Sequence, residues 1–141
     1  MPRRNSLQAR IERRVARRGD DVFLTREFAD LGGERQVLRA LRKEVEAGRL
    51  IRLGYGVYGR AARSRLSGLP MLAAPGGFNG AARAALNKLG VAWAPAQWEI
   101  AYNEGRSTQI PVNPVVRVKG RFSRRLAYGG KPLIVEHVPR P

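Results

Sequence analysis

The chain has 141 residues, which is enough for one ordinary domain or two small ones, and its hydrophobic content of 43% is enough for real cores. Its formal net charge is +16, from 27 Lys and Arg residues against 11 Asp and Glu residues, and its pI is near 11.7. Because a charge of this size is tolerated best by proteins that bind polyanions, nucleic acid is the leading class of partner. An anionic membrane surface, or a merely soluble arginine-rich protein, is the alternative.

The composition also excludes several kinds of site. The sequence has no cysteine, which excludes disulfides and thiolate metal sites, and its single histidine offers little for zinc or iron. No apolar run approaches the ~20 residues of a membrane span, and the basic start lacks the apolar segment of a signal peptide. No acid–base pair or phosphate-binding loop is visible. We therefore expect a soluble cytoplasmic protein that is not an enzyme and needs no metal or cofactor.

The first part of the chain predicts a helix, a short strand and a second helix. Ser6 is a good N-cap for a first helix whose apolar stripe is formed by Leu7, Ile11 and Val15. The apolar run 22–24 predicts the strand. Thr25 then caps a second helix, 26–31, with Glu27 favourably placed near its positive end.

The segment that begins at Glu34 is the one around which the chain is organised. Apolar residues at spacings of three and four predict a third helix, which Gly48 ends: Val37, Leu38, Leu41 and Val45. Cationic residues fall on the opposite face: Arg35, Arg39, Arg42 and Lys43. Two short strands, 50–53 and 57–58, follow around a Gly-Tyr-Gly turn. A free cationic helix face with a hairpin behind it is typical of a recognition helix and its wing.

The remainder of the chain predicts a second, smaller domain. Residues 61–78 are polar, basic and rich in Pro and Gly, which predicts a linker with one helical turn. The following runs predict a helix, a strand, a short helix and three strands: 81–89, 91–93, 95–103, 115–118, 125–128 and 133–137. Gly129-Gly130 is expected to join the last two strands as an antiparallel hairpin. The fold class is therefore α+β, with an N-terminal winged helix-turn-helix domain (1–60), a linker (61–78) and a small α+β domain (79–141).

Five side chains of the third helix are the main candidates for DNA contacts: Arg35, Gln36, Arg39, Arg42 and Lys43. Arginine bonds guanine bidentately in the major groove, and glutamine reads adenine. The alternative is a solvated helix face partly paired with Glu44 or Glu46. In the wing, Arg52 and Tyr55 are candidates for phosphate or minor-groove contacts, and Arg60 for a contact at the strand end.

Two further groups of residues are candidates for contacts outside the major groove. Contacts with the DNA backbone are expected from Thr25, Arg26, Arg14 and Arg18, because helices that do not enter a groove often cross the backbone. A second basic cluster surrounds a turn near the end of the chain: Arg117, Lys119, Arg121, Arg124 and Arg125. This cluster extends the DNA footprint, binds RNA, faces an acidic protein, or is an exposed loop kept soluble by its charge.

Several stretches resemble a known family. The segments DVFLTREFADLG (21–32), VLRAL (37–41) and GRLIRLGYGVY (48–58) resemble the winged helix of AbiEi-like antitoxins of bacterial type IV toxin–antitoxin systems. STQIPVNP (107–114), followed by arginine-rich strands, is similar to the C-terminal portion of that family, so the resemblance covers most of the chain. Two features depart from the family pattern: the C-terminal portion is short, and Tyr55 lies between the glycines of the wing.

The resemblance implies a DNA-binding autorepressor, encoded beside a nucleotidyltransferase-like toxin, whose C-terminal domain carries the antitoxic activity. We therefore expect a sequence-specific, double-stranded DNA-binding transcriptional regulator, an antitoxin-type autorepressor that binds operator repeats as a monomer or weak dimer. Two alternatives stay open. One is an RNA- or ribonucleoprotein-binding module that uses the second basic cluster, and the other is a protein-interaction antitoxin that acts mainly through its C-terminal domain.

Overall fold

The computed structural model describes residues 6–108 and 113–138, so residues 109–112 of the STQIPVNP stretch lie outside the described residues. The described part contains four α-helices: α1 (Leu7–Arg17), α2 (Glu34–Glu46), α3 (Gly77–Lys88) and α4 (Gln97–Asn103). It also contains nine strands: β1 (Val22–Leu24), β2 (Leu50–Gly54), β3 (Val57–Arg63), β4 (Pro70–Leu72), β5 (Trp93–Pro95), β6 (Val115–Lys119), β7 (Ala127–Tyr128), β8 (Lys131–Pro132) and β9 (Ile134–Val138). The predicted α+β class is confirmed. None of these helices combines the length and apolar character needed to cross a membrane.

The first sheet is antiparallel and has β3 at its centre, between β1 and β2. Successive side chains of a strand point to opposite faces, and β1 shows this directly. Phe23 lies in one hydrophobic cluster, whereas its neighbours Val22 and Leu24 lie in another. The sheet is therefore covered on both faces.

One face of the sheet is covered by α1 and α2. Ile11 of α1 and Leu41 of α2 pack with Phe23 and Phe28, and all four side chains are fully buried. Ser6 caps α1, since its Oγ accepts a hydrogen bond of 3.1 Å from the amide of Ala9, as predicted.

The other face of the sheet packs against the second half of the chain. The buried face of α3 is mostly alanine, which allows the helix to approach the sheet closely: Ala81, Ala82, Ala85 and Leu86. The same cluster includes Val22 and Val57 of the first sheet and Val116 and Val118 of β6. One hydrophobic core therefore continues across residue 60, where the sequence predicted a domain boundary.

The interval 61–78, predicted as a linker, is instead structured. Strand β3 extends to Arg63, and β4 pairs with it in antiparallel register, with Ala61 opposite Leu72. Leu72 is 5% exposed and anchors β4 in the core. Pro70 begins this short strand, a position where a missing N–H is tolerated. The Pro- and Gly-rich composition of this interval therefore reflects turns within the folded core and not a linker.

The second helix predicted at 26–31 is only one turn of 3₁₀ helix, Thr25–Phe28. Thr25 does not cap it. The residue at the cap position is Leu24, whose amide donates to Glu27 Oε2 at 2.7 Å. The Thr25 amide instead donates to the Gly56 carbonyl at 3.1 Å, which ties this turn to the β2–β3 turn.

The end of the chain differs from the predicted hairpin in its pairing. Gly129-Gly130 does form a hairpin turn, but it joins the two-residue strands β7 and β8. The predicted strand 133–137 corresponds to β9, which pairs in parallel with β6. Leu133 separates β8 from β9. Its side chain is buried, and its amide donates to the Leu126 carbonyl at 2.8 Å, which redirects the chain.

Candidate nucleic-acid interface

The inner face of α2 is held by apolar packing and by one buried carboxylate. Val37, Ala40 and Leu41 are buried beside Glu44, which is only 2% exposed. Glu44 accepts hydrogen bonds from Gln8 Nε2 at 2.7 Å. It also accepts bonds from Nε and Nη2 of Arg49, at 2.8 and 2.9 Å. Glu44 therefore points away from the predicted DNA-binding face and does not pair with its arginines.

The charge state of this carboxylate follows from its partners. Burial acts to raise the pKa of Glu44, but hydrogen bonds from Arg49, Gln8 and Glu12 outweigh it, so the pKa lies below its ordinary value of 4.5. Burial raises the pKa of Glu12, and the hydrogen bond to Glu44 raises it further. Arg49 Nη2 also lies 2.8 Å from Glu12 Oε1. Glu44 thus stays ionised at neutral pH and fixes α2 to α1 and to the segment that follows it.

The outer face of α2 carries the five candidates for major-groove contacts. All of them are exposed: Arg35, Gln36, Arg39, Arg42 and Lys43. None of their side chains has an ion pair, hydrogen bond or ring contact within residues 6–108 and 113–138. Four cations are therefore held on α2 without a counter-ion among the described residues.

The predicted wing residues divide into two groups. Arg52 is exposed on β2, and Tyr55 in the turn is 75% exposed. Arg60, by contrast, is already used inside the protein. Its guanidinium donates to the carbonyls of Val15 at 2.7 Å and Asp20 at 3.1 Å, and it lies over the Phe23 ring at 5.3 Å. The donors on Nε and Nη2 of Arg60 are therefore engaged within the protein, and its role as a strand-end contact with DNA stays a prediction.

The two arginines predicted to contact the DNA backbone from this region, Arg14 of α1 and its C-cap residue Arg18, are also paired. Arg14 binds Asp30 through two hydrogen bonds of 2.6 and 2.7 Å and donates to the Glu27 carbonyl at 2.8 Å. This hydrogen bonding lowers the pKa of Asp30 to about 2. Arg18 Nη1 lies 2.8 Å from Glu27 Oε1. Both side chains position the turn before α2, so their charges are largely compensated within the protein.

The predicted backbone contacts Thr25 and Arg26 lie beside the wing turn. Arg26 is exposed and donates to the Lys88 carbonyl at the end of α3. Lys88 itself, which the sequence reasoning missed, binds Asp20 Oδ2 and Glu27 Oε1, both at 2.8 Å. The hydrogen bond from Lys88 also lowers the pKa of Asp20. No local sequence pattern indicates the contacts of Lys88, because Asp20 and Glu27 lie 68 and 61 residues away from it in the sequence.

The side chains of the second basic cluster differ in their surroundings. Arg117 donates to the Pro95 carbonyl of the adjacent strand at 2.9 Å. Lys119, Arg121 and Arg125 are exposed. Arg124 donates from Nη1 to the Tyr55 carbonyl at 3.1 Å, which joins the loop 120–126 to the wing.

Gly54 allows this loop to approach the wing. A Cβ atom at this position would lie 2.4 Å from the carbonyl oxygen of Arg125 and 2.9 Å from the Leu126 side chain. Leu126 is 2% exposed and holds the loop in the core. Residues 124–126 are therefore held against the β2–β3 hairpin, which the sequence did not reveal.

A comparison of the chain with family models, with curated proteins and with solved structures found no match. The resemblance to AbiEi-like antitoxins therefore stays a prediction. Within 6–108 and 113–138, no group of three or more His, Asp or Glu side chains is arranged to hold a metal ion. What remains as evidence of function is the geometry and the charge of the surface around α2.

Proposed function

We propose that this chain is a sequence-specific, double-stranded DNA-binding transcriptional regulator with a winged helix-turn-helix at its N-terminus. In this proposal α2 is the recognition helix and the β2–β3 hairpin is the wing. The observation that carries the proposal is the outer face of α2, where four cations and Gln36 are exposed without internal partners. Since α2 is held from behind by Glu44 and its apolar neighbours, this face is available to a ligand while the helix stays fixed.

The dimensions of α2 suit the major groove of B-form DNA. The helix has 13 residues, which corresponds to a length of about 20 Å at a rise of about 1.5 Å per residue. With side chains it is about 10–12 Å wide, and the major groove is about 12 Å wide. Arg39 and Arg42 lie near the middle of its exposed face, and each is suited to a bidentate contact with guanine.

The wing and its neighbouring loop suit contacts with phosphates. Arg52 and Tyr55 from the wing, and Arg121 and Arg125 from the adjoining loop, are exposed. The loop is joined to the wing by the bond from Arg124 to the Tyr55 carbonyl and by its close approach to Gly54. Arg26 adds a cation at the 3₁₀ turn. Contacts of this kind fix the register of the protein on DNA without reading sequence.

The regulator is proposed to act as an antitoxin-type autorepressor. This part of the proposal depends on the resemblance to AbiEi-like antitoxins, which implies an operator upstream of its own gene and a nucleotidyltransferase-like toxin as partner. It predicts that the DNA recognised best contains repeats close to the chain's own promoter.

Charge reversal on α2 tests the proposal. The variant Arg39→Glu/Arg42→Glu is expected to lose discrimination between operator and scrambled duplex in fluorescence-anisotropy titrations, since both base-reading cations are replaced. Arg65→Glu/Arg106→Glu is the matched control, because it makes the same change in net charge at exposed residues outside α2 and the wing. An equal loss of discrimination in both variants would contradict the assignment of α2 as the recognition helix.

A further inference from the structure

A half-open cavity of about 390 Å³ lies between α2, the 3₁₀ turn, the wing turn and the end of α3. This volume falls in the range of pockets for small molecules, about 300–1,000 Å³. Its wall is mainly apolar and includes Ala29, Val37, Leu38 and Leu89. Because Leu89 comes from the second half of the chain, the cavity exists only where the two halves pack together.

Three polar groups line this cavity. Thr25 Oγ1 is buried and has no hydrogen-bond partner within the described residues. Arg26 and Arg124 also line the cavity, and each is fixed by one hydrogen bond, to the Lys88 carbonyl and the Tyr55 carbonyl respectively. A guanidinium has five N–H donors, so both arginines keep donors for a ligand.

The balance of charge favours an anion. Glu34 is the one carboxylate among the lining residues, against the two guanidinium groups. A carboxylate matches the planar fork of an arginine and accepts paired hydrogen bonds from it. An unpartnered buried hydroxyl beside such a site is a further group that a bound ligand satisfies.

We propose that this cavity binds a small amphipathic carboxylate that regulates DNA binding. The carboxylate lies between Arg26 and Arg124 and accepts a hydrogen bond from the Thr25 hydroxyl. The apolar body of the ligand packs against Leu38 and Leu89.

The regulatory part rests on the proposed function, whereas binding of the carboxylate does not. Arg26 and Tyr55 are proposed to face DNA phosphates, and both line the cavity. A bound carboxylate compensates the charge of Arg26 and places a negative charge beside the DNA backbone. The ligand therefore competes with DNA and acts as an inducer.

Binding is tested first without DNA, by following backbone amide signals in two-dimensional NMR spectra during titration with indole-3-acetate or benzoate. The amides of Thr25, Leu38 and Gly56 are expected to shift saturably, and the neutral indole-3-acetamide is expected to bind at least tenfold more weakly. The absence of a saturable shift, or equal binding of the acetamide, would overturn the site. A stronger response of the same amides to inorganic phosphate would also overturn it and assign the cavity to the DNA backbone.

Two variants test whether a loss of ligand binding comes from the cavity itself or from unfolding of the protein. Arg124→Ala is expected to weaken indole-3-acetate binding about tenfold, whereas Arg121→Ala, from the same loop but outside the cavity, leaves it unchanged. Leu38→Glu places a carboxylate in the cavity and abolishes binding, while the remaining amide signals confirm that the protein is folded. Unchanged affinity in both Arg124→Ala and Leu38→Glu would overturn the assignment.

The regulatory step is tested by a DNA titration in the presence of indole-3-acetate. At a concentration tenfold above its Kd, a competing ligand raises the apparent Kd for the operator about tenfold. If the ligand binds and the operator affinity is unchanged, the regulatory role is overturned. A failure of the proposed DNA-binding function gives a different result from a failure of the ligand site. In that case the ligand-free protein shows no preference for the operator, although the NMR titration with the carboxylate still saturates.

Discussion

Replacement of Arg49 by methionine is expected to destabilise the protein more than replacement of its partner Glu44 by glutamine. The side chain of Glu44 is 3% exposed, whereas that of Arg49 is 51% exposed. Arg49→Met therefore leaves a buried carboxylate that keeps the bonds from Gln8 and Glu12 but has lost its cationic partner. Glu44→Gln leaves a guanidinium that water can solvate.

The difference in destabilisation between the two variants depends on how deeply Glu44 and Arg49 are buried. Loss of one partner from a fully buried ion pair costs roughly 3–5 kcal/mol, and the exposure of Arg49 reduces this to about 2–3 kcal/mol at pH 7. Glu44→Gln is expected to cost about 1 kcal/mol, which is the net value of an ordinary hydrogen bond. For a chain of this size, Arg49→Met then lowers Tm by roughly 6–9 °C.

The free-energy cost of Arg49→Met depends on pH, and the direction of this dependence follows from the pKa of Glu44. In the native protein this pKa lies below 4.5, so the ionised group contributes stability above that value and loses it as the pH falls. Without Arg49, burial raises the folded pKa of Glu44, so the variant loses stability as the pH rises through that value. The cost of Arg49→Met is therefore greatest near pH 7 and falls below about 1 kcal/mol near pH 4.

Urea denaturation followed by circular dichroism at pH 7 and pH 4 measures these quantities. Arg17→Met is a control for the removal of one arginine charge, since Arg17 is an exposed residue of α1. Equal costs for Arg49→Met and Glu44→Gln, unchanged between the two pH values, would refute a buried, ionised Glu44 beneath α2.

Two further predictions concern contacts that position the candidate interface. Gly54→Ala is expected to cost about 1–3 kcal/mol, because its Cβ would meet the Arg125 carbonyl at 2.4 Å. Gly19→Ala, where nothing lies within 4 Å of the added Cβ, is the control in the same urea titrations, and equal effects would contradict the close approach of the loop. Arg14→Met is expected to raise the pKa of Asp30 from about 2 toward its ordinary value of 3.8, because the hydrogen bond from Arg14 is the largest cause of the shift, and NMR titration of the side-chain carboxyl carbon measures it. An Asp30 pKa that stays near 2 in this variant would show that another group lowers it.

The recognition-helix candidate could be predicted from sequence because its signal is local. Apolar spacings of three and four fix which face of α2 is buried, and the cations then fall on the other face. The β2–β3 turn and the cap at Ser6 also depend on neighbouring residues alone. These features are confirmed, whereas contact of the exposed face with DNA stays a prediction.

The features that sequence reasoning missed depend on partners that are distant along the chain. Nothing near Arg60 indicates that the end of α1 supplies acceptors for its guanidinium, and Lys88 reaches across to Glu27 from α3. The parallel pairing of β9 with β6 could not be predicted either. Alternation of apolar and polar residues indicates which face of a strand is buried, but it does not indicate which strand lies beside it. Net charge therefore does not indicate which arginines are paired within the protein, and the class of partner that it favours stays a prediction.

The most direct test of the account is a gel-shift titration of the intact chain on the duplex upstream of its own gene, with scrambled duplex and the matching RNA as competitors. The account predicts binding that neither competitor displaces at equal concentration and that weakens steeply as salt rises, because phosphate contacts release counterions. Equal displacement by scrambled duplex would contradict sequence-specific regulation. Stronger displacement by the RNA would support an RNA-binding module instead.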